Sequence, residues 1–306
     1  MLGGSILRFL VIVLFGVGLA PFAEAQQHVV RRQAPAEPAE ITADADTIIV
    51  PMDFSAGRPT VRVWLNGKGP YPFVFDTGAH TTVLDAKLAK ELGLEELKSD
   101  EQIMVGDPSQ KNTVPATRGR TDSLRVGGAT LHSLSFTAIP LGARFESKFV
   151  GVLGVGHFSE YVIEMDYPAN RIRLYKGELP AGRPGVVEYY AEMGLIAFAV
   201  EVGGQHVDFH LDSGSSGGFS VTPDLAQKLK WGAEPESIRV AKSVSNEFPV
   251  YEGTLDGSVT FAGFTYENPK VAYMEILRSG NLGQQILREL VVSIDQKHKR
   301  LAFAKR

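Results

Sequence analysis

The motif order of residues 73–174 returns in residues 209–303, and this internal repeat constrains the chain more than any other feature. FVFDTGAHTTV at 73–83 corresponds to FHLDSGSSGGF at 209–219, and VLDAKLAKELGL at 83–94 to VTPDLAQKLKWG at 221–232. Further on, GVLGVGHF at 151–158 corresponds to GNLGQQIL at 280–287, and EYVIEMDYPANRIRL at 160–174 to ELVVSIDQKHKRLAF at 289–303. The spacing is kept as well as the order. Asp76 and Gly154 lie 78 residues apart and Asp212 and Gly283 lie 71; Asp76 and Asp166 lie 90 apart and Asp212 and Asp295 lie 83, so both intervals shorten by 7. Two copies of one supersecondary unit of roughly 120 residues, a common domain size, account for most of the chain.

The texture inside each copy is β. Segments such as IIVPMDF, TVRVWLNG and PFVFDTG are rich in Val, Ile, Phe and Trp and are separated by Gly, Pro and Asn. One helix is expected at 83–94, where Leu84, Leu88 and Leu92 recur at helical spacing before a Gly93 stop. The Gly/Pro-rich stretch 177–185 reads as a linker, which places the two lobes at 46–176 and 186–306. The polar, Pro-containing residues 26–45 read as a flexible leader, with a propeptide as the alternative.

At the N-terminus, Arg8 precedes an apolar run from Phe9 to Ala20, and Ala23, Glu24 and Ala25 make a small-x-small pattern before Gln26. This layout predicts a secretory signal peptide over 1–25 and a periplasmic or extracellular location, an uncleaved membrane anchor being the alternative. With no cysteine in the chain, disulfides, thiolate chemistry and Cys-ligated metals are excluded. A formal net charge of -4 gives no electrostatic reason to expect nucleic acid as a partner.

Asp-Thr-Gly at 76–78 and Asp-Ser-Gly at 212–214 occupy equivalent places in the two copies, each after an apolar strand. One such triplet is common in turns. Two at matched positions of a repeat, each followed some 70–80 residues later by an apolar segment with a glycine, resemble the aspartic peptidases of the pepsin and retropepsin group. The resemblance covers roughly residues 47–305. It implies an all-β fold of two homologous barrel-like lobes with a few short helices and an active-site cleft between them.

Hydrolysis of a peptide bond without a metal or a covalent nucleophile needs one group to take a proton from water and another to give one to the carbonyl oxygen. Two adjacent carboxyls that share a proton supply both, so Asp76 and Asp212 are the candidate catalytic pair and no cofactor or metal is required. Gly78 and Gly214 let the backbone turn sharply beside its symmetry mate. By resemblance, Thr77 and Ser213 carry hydroxyls that bond across to the other lobe and hold the carboxyls coplanar. The same resemblance threads Val152, Leu153 and Gly154, and Leu282 and Gly283, beside the catalytic turns. Asn281 departs from it, because an apolar residue is expected there.

His80 and His210 flank the pair. They read either as tuners of its pKa or as a cleft-wall and a strand residue, and the seven histidines show no metal-ligand spacing. Hairpins at 102–116 and 237–253 are the candidates for a flap over the substrate, the first being preferred. The expected activity is that of a monomeric aspartic endopeptidase acting on extended polypeptides. Alternatives are a catalytically inactive peptide- or protein-binding protein on the same fold, an assembly in which repeats pair between chains, and a carbohydrate- or metal-dependent hydrolase.

Overall fold

The computed structural model describes residues 8–11, 39–98, 103–107, 112–146, 148–192 and 194–306. Most of the segment read as a signal peptide and leader falls outside these. Within them, Arg8–Val11 is a strand parallel to Ile103–Gly106. The last part of the leader is a strand instead of a flexible tether: Glu40–Ala43 pairs with Ala129–Ile139, and Ile41 packs against the core.

The molecule is all-β with two similar lobes. In the first, Thr60–Leu65, Lys68–Asp76, Gly151–Gly154, Thr82–Asp85, Ala129–Ile139 and Thr113–Val126 pair in that order, and the last pairs back to the first, closing a six-stranded ring. The second lobe repeats the path through Leu195–Val202, Gln205–Leu211, Gly280–Leu282, Phe219–Val221, Lys270–Tyr273 and Glu247–Leu255. There the return to the start is made by a separate strand, Ser258–Phe261.

Equivalent turns close equivalent hairpins. Asn66-Gly67 and Gly203-Gly204 both take positive φ at both central residues, the geometry whose twist matches that of the flanking strands. The expected helix forms at Ala86–Leu92, where Asp85 caps the N-terminus and Gly93 ends it in the left-handed conformation at φ 66°. The second copy retains a single turn, Pro223–Ala226, capped by Thr222.

A third sheet joins the lobes. Hairpin Val162–Asp166/Arg171–Tyr175 and its repeat, Val291–Asp295/Arg300–Ala304, pair antiparallel through Val162–Asp166 and Val291–Asp295. Thr47–Pro51 extends this sheet at one edge and Val186–Glu188 at the other. Both intervening segments of the repeat therefore meet each other, and the principal hydrophobic core runs unbroken from Ile48 to Phe303. Residues 177–185 carry neither strand nor helix, yet Leu179 is buried and its N–H donates to Asp295 Oδ2 at 2.9 Å.

Candidate active site

Each triplet follows directly from a strand whose partner fixes where it turns. Phe73, Val74, Phe75 and Asp76 lie opposite Gly151, Val152, Leu153 and Gly154, and Phe209, His210 and Leu211 lie opposite Gly280, Asn281 and Leu282. The glycines allow this close approach: a Cβ on Gly151 would meet the Phe73 ring at 2.2 Å, and one on Gly280 the Phe209 ring at 2.1 Å. Those rings are wholly buried, each stabilising its lobe by about 1.5–3 kcal/mol.

At the turns the halves exchange hydrogen bonds in mirror image. Thr77 Oγ1 donates to Leu211 O and Ser213 Oγ to Phe75 O, both at 2.8 Å. In return, Thr77 N–H donates to Ser213 Oγ and Ser213 N–H to Thr77 Oγ1, both at 2.9 Å. Each hydroxyl is thus donor and acceptor in a buried net that crosses the pseudo-dyad, which fixes the two backbones relative to each other.

This net brings Asp76 and Asp212 together, each 1 % exposed. Gly78 N–H donates to Asp76 Oδ1 at 2.8 Å, and Gly214 N–H, from the other half, donates to the same oxygen at 3.1 Å. Ser215 N–H donates to Asp212 Oδ1 at 2.9 Å, and Asn281 Nδ2 to Asp212 Oδ2 at 2.8 Å. A Cβ placed on Gly78 would lie 2.8 Å from Asp212 Oδ1 and 3.2 Å from Asp76 Oδ1; one on Gly214 would lie 2.5 Å from Asp76 Oδ2. Only glycine fits between the carboxyls at either position.

Burial pushes both carboxyls above the usual carboxylate range. For Asp212 the negative charge of Asp76 adds to burial, while Asn281, Ser215 and the charge of Arg58 oppose the rise; for Asp76 it is opposed by the Gly78 and Gly214 N–H donors and by the positive charge of Arg58. A pair raised in this way retains one shared proton at pH values where isolated carboxyls have lost theirs.

Two contributors were not singled out from the sequence. Arg58 Nε donates to Gly214 O at 2.5 Å, and its guanidinium carbon lies 5.7 and 5.8 Å from the ring centroids of Phe145 and Phe149. Its positive charge acts on both carboxyls. Tyr167 is buried and stays neutral, its ionisation opposed by burial and by both aspartates. Tyr167 lies in the repeated segment 160–174, but its counterpart is Gln296; Arg58 belongs to no motif, and its signal is a lone charge between a glycine and a strand.

The flanking histidines are engaged elsewhere. The His210 ring bonds Glu192 Oε2 and Ser279 Oγ, each at 3.0 Å, and burial lowers its pKa against the pull of Glu192. Burial likewise lowers that of His80, opposed by a backbone hydrogen bond with Gly194. Among the described residues no group of three or more His, Cys, Asp or Glu is arranged to hold a metal.

Both candidate flaps are hairpins, and they meet. Ile103–Gly106 pairs with Thr113–Val126, and Trp231–Lys242 with Glu247–Leu255; residues 108–111 of the first tip lie outside the described residues. Asp107 is buried against the second tip, where Ser243 Oγ and Asn246 Nδ2 donate to its Oδ2, and its N–H donates to Ser245 Oγ at 3.1 Å. Val244, between them, is buried in one apolar cluster with Val74, Val83 and Phe149 of the first half.

A protein-family model described as aspartyl protease matches residues 61–156 and again 198–287, one match per copy of the repeat. A search of curated proteins finds no match.

Proposed function

On the premise that the chain belongs to the aspartyl protease family, we propose that it is an aspartic endopeptidase in which Asp76 and Asp212 jointly activate a water molecule. The observation that carries this reading is the mirrored exchange between Thr77 and Ser213, which holds two buried carboxyls against one point in the cleft. With one proton between them, the ionised carboxyl takes a proton from water while the protonated one polarises the scissile carbonyl. The attack gives a tetrahedral diol, and return of a proton to the leaving nitrogen breaks the C–N bond. Because the titration belongs to the pair, neither aspartate is assigned a fixed role in the free enzyme.

The substrate is an extended polypeptide lying under the two hairpins, its backbone bonding to them. The joined tips, held through Asp107, must part to admit it. The chain acts as a monomer whose own halves supply both aspartates, and the N-terminal apolar run supports export to the periplasm or the extracellular space. A mixed peptide library incubated with the protein from pH 3 to 8 tests the activity. Endoproteolytic products are expected, and a folded protein that cuts nothing at any pH overturns the reading.

A further inference from the structure

The cleft is not electrically even along its length. Beside Asp212 opens a cavity of about 260 Å³ whose lining includes Arg58, Arg144, Lys148, Arg239 and Lys242, with an apolar floor that includes Phe145, Phe149 and Phe248. Apart from Asp212, the only acidic residue in its lining among the described residues is Glu146.

Three of these cations are already engaged. Arg144 donates to the backbone oxygens of Ser243 and Asn246 and lies 3.8 Å from Glu247; Lys242 lies 3.6 Å from that same glutamate, and Lys148 lies 3.2 Å from Glu146. Arg58 and Arg239 differ. Arg58 is fixed by Gly214 O between two phenylalanines, and no salt bridge of either arginine is found among the described residues. Each repels the other, which adds to burial in disfavouring the charged form of Arg58. The anions that act on Arg58 are the two aspartates, which in the active form carry one negative charge between them. Two guanidiniums against that single charge leave one positive charge uncompensated at the wall of a part-apolar cavity, a costly arrangement until an anion enters.

Resting on the peptidase reading, we propose that this cavity is a specificity subsite for a carboxylate of the substrate, with Arg239 as its principal ligand and Arg58 as the fixed charge behind it. An aspartate or glutamate side chain a few residues from the scissile bond supplies that group, and so does a free chain terminus at the same distance. Arg239 lies on the half-exposed hairpin strand Trp231–Lys242, at an edge of its sheet, so its substitution leaves the core untouched.

The test uses three matched peptides: one with Glu near the scissile bond and an amidated end, its Gln counterpart, and the Gln peptide shortened to end there in a free carboxylate. A charge-assisted hydrogen bond predicts a kcat/KM for Glu at least about tenfold above Gln, shrinking with added salt. Arg239→Gln brings the Glu/Gln ratio toward one, and Arg239→Glu inverts it in favour of the Gln peptide. If only the shortened peptide is favoured, the terminus is the source of the carboxylate. Equal kcat/KM for all three on the wild type, with efficient cleavage, overturns the subsite and leaves the peptidase intact. If nothing is cut, the peptidase reading fails, and the ratio of Kd values for the same peptides decides the subsite: equal affinities overturn it.

Discussion

The two halves of the molecule agree closely at the pseudo-dyad and diverge away from it. At the axis Thr77 and Ser213 make interchangeable hydrogen bonds, and Gly78 and Gly214 are equally enclosed by carboxyl oxygens. Two residues upstream the match ends: Val74 lies against Val152 in the first half, where the second sets His210 against Asn281. The apolar pair leaves Asp76 to backbone donors, whereas Asn281 adds a side-chain donor to Asp212. The outer hairpins differ too. The 14-residue strand Thr113–Val126 is continuous, but its counterpart is interrupted at Asp256-Gly257, where φ of Gly257 is 149° and Pro269, in the break between the facing strands Phe264–Glu267 and Lys270–Tyr273, accepts from Leu255 N–H but has no N–H to give in return. Contacts that the halves make with each other hold both copies to one geometry; surfaces that face only their own lobe are free to change.

The comparison can be broken most severely at the glycines. Gly214→Ala places a methyl 2.5 Å from Asp76 Oδ2, and displacing a catalytic group by about 1 Å is worth on the order of 10²-fold in rate. A loss of that size in kcat is expected, with a somewhat smaller one for Gly78→Ala, whose nearest contact is 2.8 Å. Wild-type kcat in either variant would mean that the carboxyls are not held where they react.

Next come the crossed hydroxyls. Thr77→Val and Ser213→Ala each strand two buried partners in the opposite half, so each is expected to cost about 1–3 kcal/mol in urea unfolding, with similar values for the two. Markedly unequal costs would show that the symmetry of the hydrogen bonds is not a symmetry of energy.

Asn281→Val gives the second half the residue of the first. Its N–H stabilises the charged form of Asp212, the carboxyl that the charge of Asp76 pushes up further, so removal lets the pair keep its shared proton to higher pH and moves the alkaline limb of kcat/KM upward, by about one pH unit. Arg58→Met is expected to shift the same limb in the same direction, because it removes a positive charge acting on both aspartates. An alkaline limb unmoved in Asn281→Val would show that Asp212 is not part of the titrating pair.

The smallest effect is on stability. Since the folded-state pKa of Asp212 lies above its unfolded value, the folded protein binds more protons, and the dyad's contribution is fully present below about pH 4 and lost as pH rises through the raised pKa. Asp212→Asn removes that loss, so its Tm should exceed that of the wild type at pH 8 and converge with it toward pH 4.

What the sequence made legible was whatever the repeat wrote twice. Both Asp-hydroxyl-Gly turns and the glycine segments beside them follow from local chemistry read at matched positions. The six-stranded sheet between the lobes was not legible, because nothing in 160–174 says that its partner is 289–303 instead of a neighbour in its own lobe. Arg58 was hidden for a similar reason: by strand register its counterpart is the buried Leu195, so the repeat gives no second copy to compare. The meeting of the two hairpin tips likewise depends on lobe placement, which Asp107 and Ser243 cannot reveal one at a time.

The central claim is that the two aspartates act as one unit, and the most direct measurement is kcat/KM for Asp76→Asn, Asp212→Asn and the double variant on one cleaved peptide. Each single change is expected to lower it by about 10²–10⁴-fold, and the double change to lower it hardly further, because one missing carboxyl already destroys the shared proton. A single variant that keeps wild-type activity, or losses that multiply in the double variant, would contradict the account.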